Sequence, residues 1–183
     1  MFDYENSEGN VVCTSDEMYG MDRYALEQGR YYDKWDDRFI FHFDPKKGIK
    51  WTDYLLTDLG WFVISTKFKE VLDRVGVTNI QYIPVKVKNA IDDNVIEGYF
   101  VANICSLIDA LDLEHSDYSE FELDENEKVL SVRKYALKRN AIKDLQIFRV
   151  EKSPMAIFVS EKVKEEVEIN NIIGCAFLEV KVI

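Results

Sequence analysis

The stretch from Trp61 to Gly76 constrains the fold most, because there a continuous apolar run gives way to a helical repeat. Trp61-Phe62-Val63-Ile64 reads as a strand, and Ser65 follows it directly. Phe68, Val71, Leu72 and Val75 then fall at i, i+3, i+4 and i+7, which places them on one stripe of a helix. Ser65 supplies an N-cap hydroxyl for a free backbone N–H, and Gly76 takes the left-handed conformation that closes the far end. A strand running into an amphipathic helix implies a core of mixed α and β structure.

Further extended segments are legible from aromatic and β-branched residues bounded by turn residues. Arg38 to Asp44 reads as a strand before Pro45-Lys46-Lys47-Gly48, with His42 on the face opposite Phe41 and Phe43. Ile80 to Lys88 alternates in part, and Pro84, which has no N–H for a ladder, marks an edge or a strand start. Gly98 to Cys105 follows an Asp92-Asp93-Asn94 turn, and Leu145 to Val150, Ala156 to Val159 and Ala176 to Ile183 are further strands. Ser160 caps a second helix carrying Val163 and Val167, with Ile169 less well placed. Glu120 to Leu123 and Lys128 to Arg133 flank Asp124-Glu125-Asn126-Glu127, a hairpin with an acidic tip. The expected fold is therefore α+β, a largely antiparallel sheet with two or more flanking helices near 66–75 and 161–169.

Charge narrows the partners. The chain of 183 residues has a net charge of −11, concentrated in two places. Residues 1–37 hold ten Asp and Glu against three Lys and Arg, and residues 109–127 hold nine and none. Nucleic-acid phosphate is excluded as a ligand, because its recognition needs Lys and Arg. Either the acid serves solubility, or it faces a basic protein partner through Glu120, Glu122, Asp124, Glu125 and Glu127. Tyr4, Tyr19, Tyr24, Tyr31, Tyr32 and Trp35 crowd the first 37 residues, where aliphatic residues are few. Tyr31, Tyr32 and Trp35 are candidate contact residues there, unless the arm packs on its own domain.

Apolar stretches such as Trp61 to Ile64 fall far short of the roughly 20 residues that span a bilayer, so no membrane helix is expected. The acidic start Met1-Phe2-Asp3-Tyr4-Glu5 lacks the basic, apolar pattern of a signal peptide, which makes a cytoplasmic location the expectation. Cys13, Cys105 and Cys175 are odd in number and scattered, and are read as reduced thiols.

No motif for catalysis emerges. Neither G-x-x-x-x-G-K-[ST] nor G-x-G-x-x-G occurs, and His42 and His115 belong to no metal-ligand spacing, so no cofactor, metal or catalytic residue is assigned. Asp109-Ala110-Leu111-Asp112-Leu113-Glu114-His115-Ser116 is the one segment where carboxylates, an imidazole and a hydroxyl cluster locally. On a helix Asp112 and Ser116 share a face while His115 points elsewhere, which disfavours a local Ser-His relay. A hydrolase using this segment is the minor alternative, and a structural capping role for Asp112 and Ser116 the preferred one.

From about Leu59 onward the chain resembles immunity protein family eleven of bacterial polymorphic toxin systems, formerly a domain of unknown function. The resemblance rests on an order of short motifs. They are Gly60-Trp61-Phe62-Val63-Ile64-Ser65, the helix Phe68 to Val75 ending at Gly76-Val77, and Gln81-Tyr82-Ile83-Pro84-Val85. Tyr99-Phe100-Val101-Ala102-Asn103, Asp112 with Ser116, Ile147-Phe148-Arg149 and Gly174-Cys175-Ala176-Phe177 complete the order. It implies a stoichiometric inhibitor that binds the toxin domain encoded beside it, with no catalytic residues to carry over. The expected organisation is an aromatic and acidic segment, 1–58, packed on an immunity-like α+β domain, 59–183. A cytosolic interaction module unrelated to toxins is the other reading, and the self-association state is left open.

Overall fold

The structure, a computed structural model, describes residues 1–5, 7–124 and 127–183, and all their side chains except those of 122–124, 127 and 128. In chain order the strands are β1 (Phe2–Tyr4), β2 (Val12–Ser15), β3 (Phe41–Phe43), β4 (Tyr54–Thr57), β5 (Val63–Ser65), β6 (Ile80–Asn89), β7 (Val95–Ile104) and β8 (Leu107–Ile108). They continue as β9 (Asp117–Asp124), β10 (Glu127–Lys134), β11 (Ala136–Leu137), β12 (Ile147–Val150), β13 (Ser153–Val159), β14 (Cys175–Phe177) and β15 (Lys181–Val182). The helices are α1 (Thr66–Val75), α2 (Arg139–Ile142) and α3 (Glu161–Ile169).

Six strands close into a barrel in the order β2-β3-β6-β7-β5-β4. The pairs β2–β4 and β3–β6 are parallel and the others antiparallel. Alternation sends Cys13, Phe41, Phe43, Leu55, Val63, Val85, Val87, Tyr99 and Val101 into one buried cluster that fills the barrel. Val12, on the other phase of β2, is exposed. Pro84 lies in the half of β6 that pairs with β7 alone, since β3 reaches only Val87 to Asn89, so its missing N–H removes nothing from a second ladder.

A second cluster lies outside the barrel wall. Phe62, Ile64, Ile80, Ala102 and Ile104 meet Phe68, Val71, Leu72 and Val75 of α1 and Val163 and Val167 of α3. Each Val, Leu, Ile or Phe among them contributes roughly 1.5–3 kcal/mol of burial. The Ser65 hydroxyl accepts from the Phe68 N–H at 3.1 Å, and Gly76 closes α1 at φ 88°. Ser160 caps α3 by accepting from the Val163 N–H, and Ile169 is left exposed. Strand β12 pairs with β13 and, in parallel, with β8. Ile147 and Ile157 of this small sheet join the second cluster, whereas Phe148, Val150 and Phe158 form a third with Ala110, Leu111 and Leu137.

The expected α+β class with a largely antiparallel sheet and flanking helices is corrected: the fold is mostly β, 41% strand against 15% helix, around a closed six-stranded barrel. Both long helices stand where their apolar spacing places them, yet they pack on one sector of the barrel wall and on Ile147 and Ile157 of the small β12–β13 sheet. The strands that close the barrel, β2, β3 and β4, have three or four residues each. Segments so short show no period, and their pairing was not legible locally. All three come from the first 58 residues, and Ala176 to Ile183 divides into β14, paired with β1, and β15, parallel to β11. The cysteines are free, and burial pushes the Cys13 and Cys175 thiols up to about 12.

Candidate partner-binding surface

The acidic hairpin is a two-stranded ribbon of β9 and β10, with Glu120 opposite Leu130, Phe121 opposite Val129 and Ser119 opposite Ser131. Its two faces differ. Leu130 and Val132 pack against the third cluster, which seats the ribbon on the body of the protein. The other face is held at its base by Arg133, whose guanidinium donates to the Asp117 carboxylate and, at 2.9 Å, to the Ser119 hydroxyl. That bond holds the Asp117 carboxyl below the usual carboxylate range. Further out, Phe121 is 55% exposed and Val129 40%. Of the acidic candidates, Glu120 is exposed on β9. Glu122 and Asp124 take their places in the β9 register and Glu127 in that of β10. Glu125 lies outside the described residues.

The aromatic candidates separate. Trp35 turns inward, with its ring 5.3 Å from Phe39 and 5.7 Å from Trp61. Tyr32 is clamped through its backbone: its N–H donates to Gln81 Oε1 and its carbonyl accepts from Gln81 Nε2, both at 2.8 Å. Asn103 completes the latch, its amide nitrogen donating to the Arg30 carbonyl at 2.9 Å and to Gln81 Oε1 at 2.8 Å. Two residues of the quoted motifs, Gln81 and Asn103, thus hold the segment that presents Tyr31, which is 69% exposed. This loop rests on β6 and β7, the ribbon on the third cluster, so the structure keeps the two groups of candidates on different supports.

Asp112, His115 and Ser116 form a turn. The Ser116 hydroxyl donates to the Asp112 carbonyl and accepts from the Ala136 N–H at 3.0 Å, so its oxygen joins two pieces of backbone. His115 turns its Nδ1 to Asp112 Oδ1 at 3.1 Å, and this contact holds the Asp112 carboxyl below its ordinary range. His42 faces outward from β3 beside Asp16, 3.2 Å away, in a polar cleft of about 330 Å³ that Lys88 and Asp93 also line. Among the described residues no group of three or more His, Cys, Asp or Glu is placed to hold a metal ion, and no helix is long and apolar enough to cross a membrane.

Counting charge drew attention to the acids of β9 and passed over Phe121. The signal was present: in Glu120-Phe121-Glu122 the alternation puts Phe121 on the opposite face from its neighbours, and the Leu130 and Val132 phase of β10 is the buried one.

Compared with models of protein families, residues 3–182 match the immunity protein family Imm11, and the chain belongs to that family. The match takes in the N-terminal residues as well as the part from Leu59 onward. No curated protein matches the chain.

Proposed function

We propose that this member of an immunity protein family binds and neutralises a cognate bacterial toxin domain by stoichiometric protein–protein inhibition, in the cytoplasm of the cell that makes the toxin. The observation that carries the reading is the family match over nearly the whole chain. The geometry supports binding over chemistry: the barrel is filled by its own side chains, and the Ser116 hydroxyl is engaged with backbone at both ends. Co-expression with the toxin domain encoded beside the gene tests it. The expected result is a one-to-one complex and restored growth, and His42→Ala and His115→Ala proteins protect as well. Failure to bind that domain, or protection abolished in a folded His115→Ala protein with unchanged affinity, overturns it.

Acidic positions Glu120, Glu122, Asp124, Glu125 and Glu127 are proposed to meet a basic toxin surface, with Tyr31 exposed and Tyr32 and Trp35 holding its loop. Complementary charge acts chiefly on encounter. Reversing Asp124, Glu125 and Glu127 to Lys is therefore expected to slow association at low salt and flatten its salt dependence. Folding stability is expected to change by about 0.5 kcal/mol or less. Binding kinetics at two salt concentrations check this, and an unchanged on-rate and salt slope assigns the acid to solubility.

A further inference from the structure

We infer that the outward face of the β9–β10 ribbon is an apolar anchor, the Phe121–Val129 pair, that inserts into a pocket on a basic protein surface of the toxin domain. The inference rests on the proposed immunity function and assigns its contact. Phe121 and Val129 are opposite one another in the register, and both are exposed. A single exposed apolar residue is ordinary, whereas two placed side by side form a continuous patch. Toward the base of the ribbon the next pair on this face is Ser119 and Ser131, whose side chains are too short to cover an aromatic ring. Phe121 therefore stands proud of its strand, as an anchor residue must.

The ribbon is also prepared for contact. Leu130 and Val132 fasten its back to the third cluster, and Arg133 ties Asp117 and Ser119 on the front, so little ordering is left to occur on binding. The charge of the segment selects the occupant. Residues 117–134 hold six Asp and Glu against Lys128, Arg133 and Lys134, a net charge of −3. A second copy would set a net negative segment against its like, while a basic surface with an apolar recess takes the anchor. Glu120, in the opposite phase from Phe121, steers that encounter and does not rim the anchor.

The test is the affinity of the unaltered protein and of a Phe121→Ser, Val129→Thr protein for the toxin domain encoded beside the gene. Loss of an aromatic anchor is expected to weaken binding about thirty-fold, mainly through faster dissociation, with the salt slope retained. Phe121→Leu is expected to recover much of the loss. Equal affinity of the unaltered and doubly substituted proteins overturns the anchor and leaves the immunity function standing. No binding by the unaltered protein removes both. A dimer of the protein alone that Phe121→Ser dissolves assigns the patch to self-association and also overturns the anchor. Hydrogen exchange on the unaltered complex is a second readout: slowed exchange of β9 and β10 amides supports the contact, and unchanged exchange refutes it even where the substituted protein folds poorly.

Discussion

Replacing Arg149 with alanine is expected to destabilise the protein by about 4 kcal/mol, seen as a large fall in the urea midpoint. Arg149 lies in β12, a strand buried on both faces, and is only 4% exposed. Its Nη1 donates to the Pro154 carbonyl at 2.6 Å and to the Met155 carbonyl at 3.0 Å, which folds the start of β13 back against β12. Burial drives the guanidinium pKa down, and the charge of Glu27 opposes that shift. The relation is mutual: burial raises the Glu27 carboxyl, and Arg149 lowers it. Alanine leaves two carbonyls without their donor, opens a cavity and takes the counter-charge from Glu27. Arg149→Met keeps most of the volume and removes the cost of burying a charge, so its loss is expected to be smaller. Equal midpoints for the alanine and unaltered proteins would contradict this account.

The second large effect is expected at Gly174, where alanine costs about 3 kcal/mol from strain and overpacking. Its φ is +91°, and an added Cβ would stand 2.6 Å from Thr52 Cβ and 2.8 Å from the Tyr54 carbonyl oxygen. Those atoms cannot step aside cheaply. The Thr52 hydroxyl donates to the same Tyr54 carbonyl at 2.6 Å, and the Asp53 N–H donates to Ile173 O at 2.9 Å. The segment between α3 and β14 is thereby pressed against the start of β4, and with it the C-terminal strand that pairs with β1. Thermal unfolding of Gly174→Ala checks the magnitude, and a transition unshifted from that of the unaltered protein would refute the close contact.

Local elements were largely determined by the sequence itself. Helix α1 was legible from Ser65 through Gly76 because a stripe of Phe68, Val71, Leu72 and Val75 and two capping residues agree over ten residues. Strands β6 and β7 are ten residues each and β9 and β10 eight each, so periodicity had room to show. The family was legible from the order of motifs along the chain, most of which lie in α1, β6 and β7 and also in the short strands β5, β12 and β14. Barrel closure was decided only in three dimensions. It depends on parallel pairing of Val12 and Cys13 with Leu56 and Thr57, and of Phe41–Phe43 with Val87–Asn89, across intervening chain that itself includes other strands and α1. Nothing in three or four residues announces a partner that distant, and only the barrel core filled by β2, β3 and β4 rewards the entropy of bringing them together. The same holds for the sites. Acidity was a count that needed no fold. Which face of the ribbon is free, that Trp35 turns inward while Tyr31 stays out, and that Arg149 is buried are results of packing, because exposure belongs to a side chain's neighbours in space and not to those in the chain.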